Sequence, residues 1–158
     1  MNLPREVGKT IDQQGKTLAV VESITGGLVS SLITDVPGAS RYFLVGLVTY
    51  SNDSKVRLLG VKESTLASHG AVSEQVAREM AHGVRLVAQA DIGASCTGIA
   101  GPTGATPLKP VGLVHFAVED DSHVVTHHEV FLGDRLQIRW QAAERLLELI
   151  LQTVATSI

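Results

Sequence analysis

Nine residues, Ala19 to Gly27, constrain this chain more than any other stretch. Leu18-Ala19-Val20-Val21 is an apolar run with the length of a buried strand. Polar Glu22-Ser23 ends it, and Thr25-Gly26-Gly27 opens a run whose Leu28, Leu32 and Ile33 recur at helical spacing. A hydroxyl on such a strand-to-helix turn sits at the carboxyl end of a strand, where ligands bind in open α/β sheets. It also faces the backbone N–H groups of a helix start. The competing explanation is that Ser23 and Thr25 only cap that helix.

The rest of the chain supplies a sheet for this turn to stand on. Asn2 to Gln14 reads as a first helix with Pro4 in its opening turn, and Gly26 to Thr34 as a second. Phe43 to Tyr50 is mostly apolar and reads as a central strand, with Leu44, Leu47 and Val48 in the core. Tyr42, Phe43 and Trp140 are expected in partly exposed packing or subunit contacts. Short helical patterns follow at 56–59 and 64–68. Ser73 then caps a long helix with the stripe Val76, Met80, Val84 and Val87, flanked by Ala77, Ala81 and Ala88. Asp91 to Cys96 is a strand of small residues that lets a neighbour approach closely. Val111 to Val118 and His123 to Leu132 are the last strands, joined by a hairpin-like Glu119-Asp120-Asp121-Ser122 and hence antiparallel. Asp134 with Gln137 forms a capping box for a final helix whose stripe is Ala143, Leu147, Ile150 and Val154. Helices alternating with strands, then a hairpin, define one α/β domain over residues 1–158. It is a three-layer α/β/α arrangement with a mixed, mainly parallel sheet.

Three loops each follow a strand: after Val21, after Tyr50 and after Cys96. If those strands are parallel neighbours, the loops meet at one rim and bring together Ser23, Tyr50, Lys55 and Thr97 with the glycine-rich run Gly98 to Gly104. A serine needs a base to become a nucleophile, and lysine is a known partner once burial or a nearby cation lowers its pKa. Glycine-rich turns present N–H groups to an oxyanion or a phosphate. Against this, Tyr50 and Lys55 are also compatible with an ordinary strand end and a solvated helix charge. His127 and His128 are adjacent on a strand and point to opposite faces, and His82 with Glu79 reads as a surface pair. No metal site and no cofactor are expected. P-loop, dinucleotide-binding, nucleophile-elbow and S-x-x-K motifs are absent. The residues by themselves stop at a serine-based hydrolase or a small-ligand binder.

Bulk properties narrow the partners. A net charge of −3 argues against nucleic acid, and no apolar run is long enough to span a membrane. The N-terminus lacks the apolar core of a signal peptide, and the one cysteine, Cys96, rules out an internal disulfide framework. The expected compartment is the cytoplasm.

Taken in order, several segments resemble the CinA C-terminal domain family. They are Glu22-Ser23 with Thr25-Gly26-Gly27, Pro37-Gly38-Ala39-Ser40, and Val48-Thr49-Tyr50-Ser51-Asn52 with Lys55. Further on come Gly70-Ala71-Val72-Ser73, Thr97-Gly98-Ile99-Ala100-Gly101-Pro102, Lys109-Pro110-Val111-Gly112, and Gly133-Asp134-Arg135 with Ile138-Arg139. Ile24 departs from the family, where a cysteine is common, and the loop 102–108 is less glycine-rich than usual. The resemblance implies hydrolysis of nicotinamide mononucleotide to nicotinic acid mononucleotide and ammonia. It implies Ser23 as nucleophile, Lys55 as base and Tyr50 as proton-relay partner. Candidates for holding the nucleotide phosphate are Thr25, Gly26 and Gly27, the Thr97-Gly98 loop, and Arg139. Other small carbonyl substrates, or a silent nucleotide-binding domain, are the alternatives. Self-association into a homo-oligomer is expected from the apolar strand edges.

Overall fold

A computed structural model describes residues 2–156. Its five strands are β1 (Leu18–Glu22), β2 (Phe43–Val48), β3 (Ile92–Gly98), β4 (Leu113–Glu119) and β5 (Val124–Val130). The helices are α1 (Leu3–Gln13), α2 (Leu28–Thr34), α3 (Asn52–Leu59), α4 (Glu63–His69), α5 (Glu74–Ala88) and α6 (Arg135–Thr156), with a 3-10 turn at Ala39–Arg41. The sheet order is β2-β1-β3-β4-β5, parallel among the first three and antiparallel from β3 through β5.

Side-chain alternation along the strands makes the three layers. Leu18 and Val20 of β1, with Ala94, Cys96, Val114 and Phe116, face the layer of α1, α2 and α6. Ala19 and Val21 face Leu59, Val76, Met80 and Val84 on the side of α3 and α5. The small residues of β3 let α5 lie close. A side chain at Gly93 would run into the Ala81 carbonyl, and Ser95 Oγ donates to the Ala77 carbonyl at 2.6 Å. Ser73 caps α5 through Val76 N, as its sequence predicts, although Val87 falls off the buried stripe and is exposed. The capping box of α6 is reciprocal: Gln137 N donates to Asp134 Oδ1, and Asp134 N to Gln137 Oε1, both at 2.8 Å.

Two expectations fail at β2. It is an edge strand, not a central one, and Leu44 and Val48 are 46% and 48% exposed. An uncharged apolar run fits a strand buried on both faces and an edge strand equally well, because composition does not count neighbours. Tyr42, expected to be partly exposed, is buried with its hydroxyl beside Gly8 of α1.

The start of α2 also differs. Its regular turns begin at Leu28, after Gly26 and Gly27 take positive φ values of 59° and 108°. Neither Ser23 nor Thr25 caps it. The carboxylate of fully buried Glu22 does, accepting from Gly27 N (3.2 Å), Val29 N (2.9 Å), Ser30 N (3.0 Å) and Ser30 Oγ (2.7 Å). A negative charge at a helix N-terminus, with several donors converging on it, offsets its own desolvation. Glu22→Ala leaves these donors without a partner. It is expected to cost about 2–4 kcal/mol, read as a fall in melting temperature of roughly 5–15 °C by calorimetry.

Candidate active site

With β1, β2 and β3 parallel, the loops after all three open at the same end of the sheet, where the strand order reverses about β1. Ser23 follows β1, and its N–H donates to the Cys96 carbonyl of β3 at 3.2 Å. That bond frees the hydroxyl to face the loop after β2. Ser51 caps α3 through Ser54 N, so the helix begins earlier than the sequence pattern suggests and carries Lys55 on its inner face. Lys55 is 1% exposed. Its Nζ donates to Ser23 Oγ at 3.1 Å and to the Thr49 carbonyl at 2.6 Å, with the Tyr50 carbonyl at 3.5 Å. Burial pulls the Lys55 pKa down from 10.5 to about 8.

Ser23 and Lys55 line a cavity of about 170 Å³ together with Ile24, Tyr50, Thr97, Gly98 and Arg135, among others. Larger clefts occur elsewhere, such as that of about 350 Å³ beside Leu32 and Trp140, but neither Ser23 nor Lys55 opens into it. The hydroxyl of Thr97 is spent inward, donating to the Ala71 carbonyl at 2.9 Å. Gly98 has no room for a side chain, since a Cβ would meet Val114, Ile24 and the Leu113 carbonyl.

The remaining sequence candidates lie around this cavity in different ways. Tyr50 is 64% exposed, and its hydroxyl accepts from Arg135 at 3.1 Å instead of reaching Ser23 or Lys55. Thr25 is fully buried, its hydroxyl 3.2 Å from Cys96 Sγ. The Gly27 N–H is bound to Glu22, so the helix start at Thr25-Gly26-Gly27 already holds an anion. Arg139 braces the loop from behind, donating to the Ile24 and Thr25 carbonyls at 3.0 Å each. The guanidinium that does reach the cavity is Arg135, tied to the Gly101 carbonyl at 2.9 Å and to Tyr50. It lies in the Gly133-Asp134-Arg135 segment, one residue past the capping Asp134, and that position turns it toward the mouth. Cys96 is buried, with its thiol pKa raised to about 12 by burial, and takes no part as a thiolate.

No histidine is among the residues that line this cavity. His127 stacks on Phe116 and His128 on His115, on opposite faces of the sheet. His82 pairs with Glu119 at 2.8 Å, while Glu79 instead binds Lys62 N and Thr65 Oγ1.

A three-layer α/β/α domain with a buried serine–lysine contact at the carboxyl ends of its parallel strands is the class that fold and site define. The model of the CinA C-terminal domain matches residues 1–154, and the chain belongs to that family. A CinA-like protein of Desulforapulum autotrophicum is 55% identical over 114 residues, which are 72% of this chain and 27% of that protein. A relative from Halothermothrix orenii is 50% identical over 140 residues, covering 88% of this chain and 34% of its own length. The chain thus spans about a third of the length of the curated relatives it matches. Among solved structures, the competence/damage inducible protein CihA from Agrobacterium tumefaciens superposes with a TM-score of 0.93 at 37% identity. The match covers 97% of this chain and 93% of that one. A competence or damage-inducible protein from Enterobacter asburiae gives 0.93 at 34% identity, with 96% of each chain covered.

Proposed function

We propose that this domain is an amidohydrolase that converts nicotinamide mononucleotide to nicotinic acid mononucleotide and ammonia through an acyl-enzyme on Ser23. The observation that carries the reading is the buried Lys55 Nζ, 3.1 Å from Ser23 Oγ with a pKa near 8. Such an amine is neutral in roughly a tenth of molecules at pH 7, and a neutral amine accepts the hydroxyl proton. In that form its remaining N–H groups still reach the Thr49 and Tyr50 carbonyls, which aim the lone pair at Ser23.

Ser23 Oγ then attacks the carboxamide carbon while its proton passes to Lys55. The resulting ammonium gives that proton to the amide nitrogen, the C–N bond breaks, and ammonia leaves. Water attacks the ester with Lys55 again taking its proton, and Ser23 Oγ is reprotonated as the acid departs. The Tyr50 phenol, held at the mouth by Arg135, is outside this proton path. Two backbone donors suit the developing oxyanion. The Ile24 N–H adjoins the nucleophile and has no hydrogen-bond partner among the described residues. Strand alternation carries the Gly98 N–H to the side where the Cys96 carbonyl meets Ser23, beyond the end of β1. The cavity is smaller than the roughly 300–1,000 Å³ pockets that enclose whole ligands, so it takes the amide-bearing ring. The ribose phosphate lies outward, beside Arg135.

Ammonia release from nicotinamide mononucleotide, with no metal added, tests the reading. kcat/KM is expected to rise about tenfold per pH unit below pH 8 and to level off above it, as Lys55 loses its proton. A folded protein that binds the nucleotide and releases no ammonia overturns the amidase assignment. Turnover of other amides or esters alone moves it to a different small carbonyl substrate.

A further inference from the structure

The polar side chains that line the active-site cavity are committed to the protein itself, with one exception. Ser23 and Lys55 bond each other, Thr97 is spent on the Ala71 carbonyl, and Arg135 and Tyr50 hold each other at the mouth. The exception is Asn52, which lines the same cavity and whose carboxamide has no hydrogen-bond partner among the described residues. It is the first residue of α3, and Ser51 has taken the capping role there, so the helix start makes no use of the Asn52 side chain. Asn52 stands three residues before Lys55, beside it on the helix surface and about 4.5 Å along the axis. Lys55 is buried and Asn52 exposed, so the step from one to the other leads out of the cavity toward its mouth.

We infer, on the strength of the function proposed above, that Asn52 reads the ribose hydroxyls of the nucleotide and so selects it over pyridine carboxamides that lack the sugar. The scissile carbon must lie against Ser23 Oγ, which is buried together with Lys55. Asn52, nearly one helical turn further out, is too near the mouth to meet the reacting amide. What emerges at that depth is the sugar. The ribose is attached meta to the carboxamide, on the outward side of the ring, and it joins the ring to the phosphate beside Arg135. An asparagine offers one acceptor and an NH₂ donor on a short side chain, and a vicinal diol offers the complement. One hydroxyl donates to Oδ1 while the oxygen of the other accepts from Nδ2. The Ile24, Ala71, Val72 and Ala100 side chains in the lining suit the flat ring and give a sugar no hydrogen bond. A hydroxyl that gave up water against them would go unpaired, whereas the free carboxamide at the rim replaces that water.

Calorimetric affinity and turnover of nicotinamide mononucleotide and of its 2′,3′-dideoxy analogue, each with wild type and N52A, test the contact. The substitution breaks no side-chain bond among the described residues and alanine suits a helix, so N52A is expected to melt close to wild type. Wild type is expected to bind the dideoxy analogue roughly tenfold more weakly than the nucleotide, and N52A to bind both about equally. In turnover of the nucleotide by N52A, the loss is expected in KM, with kcat within about threefold of wild type. If N52A weakens both ligands by the same factor, or weakens neither, Asn52 does not read the sugar. A fall in kcat on both ligands would place Asn52 at the reacting amide and overturn the inference as well. Because affinity is read apart from chemistry, the contact and the amidase reading fail separately. Discrimination that is lost in N52A, without ammonia release, would keep the contact and remove the amidase. Ammonia release with discrimination unchanged in N52A would do the reverse. A chain that binds neither ligand would overturn both.

Discussion

Ser23→Ala is expected to leave the fold intact and to reduce ammonia release from nicotinamide mononucleotide by roughly 10³- to 10⁶-fold, with the loss in kcat. Little structural cost accompanies the change. Among the described residues the Ser23 hydroxyl has a single side-chain partner, Lys55, and the bond that fixes the turn is made by the backbone N–H to Cys96, which alanine keeps. Melting temperature and nucleotide affinity are accordingly expected to stay close to wild type. The size of the loss follows from what the serine supplies. Without it, water must be positioned and attack an amide directly, and only the backbone donors and binding contacts remain to assist. Single-turnover measurement on both proteins settles whether chemistry is the step affected. Equal rates would remove the acyl-enzyme from the mechanism, and a loss confined to KM would make Ser23 a binding group.

Ser23 and Lys55 were legible because each follows an apolar run, and parallel strands deliver such loops to one rim whatever their spacing in the chain. The cap of α2 was not. Hydroxyl residues before a helix are the usual signal, and nothing in the order of Glu22 and Ser23 says which points inward. The geometry decides this: Glu22 is the last residue of β1 and turns under α2, leaving Ser23 to face the cavity. The same difficulty affects the arginines. Arg135 and Arg139 lie one helical turn apart on α6, yet one reaches the cavity mouth and the other braces the loop behind it. Only the docking of α6 on α2 distinguishes them. The position of β2 depends on strand order, which no local pattern encodes.

Lys55→Met is expected to move activity and stability in opposite directions. The activity of the variant is expected to fall by roughly 10²- to 10⁴-fold or more, because among the described residues Lys55 alone has a side chain bonded to the Ser23 hydroxyl and able to take its proton. Lys55→Arg is expected to restore none of it, since a guanidinium stays protonated throughout the working range. Stability moves the other way at neutral pH. The Lys55 pKa is about 8 in the folded chain against an ordinary 10.5. At pH 7 the buried ammonium therefore costs about 3 kcal/mol. Methionine removes that cost and fills the space of the lysine stem, but it orphans the Thr49 carbonyl, a penalty of about 1 kcal/mol. The net gain of about 2 kcal/mol corresponds to a rise in melting temperature of about 4–8 °C. Between pH 8 and 10.5 the unfolded chain binds the proton that the folded chain has released, so wild-type stability climbs with pH through that window. The variant lacks this increment, and its advantage is expected to shrink and then reverse as pH passes 10. Urea unfolding of both proteins at pH 7 and pH 10 reads the crossover. A variant less stable at both values would show that the Lys55 hydrogen bonds outweigh the burial of its charge, and that the amine is held as an ammonium unfit to act as a base.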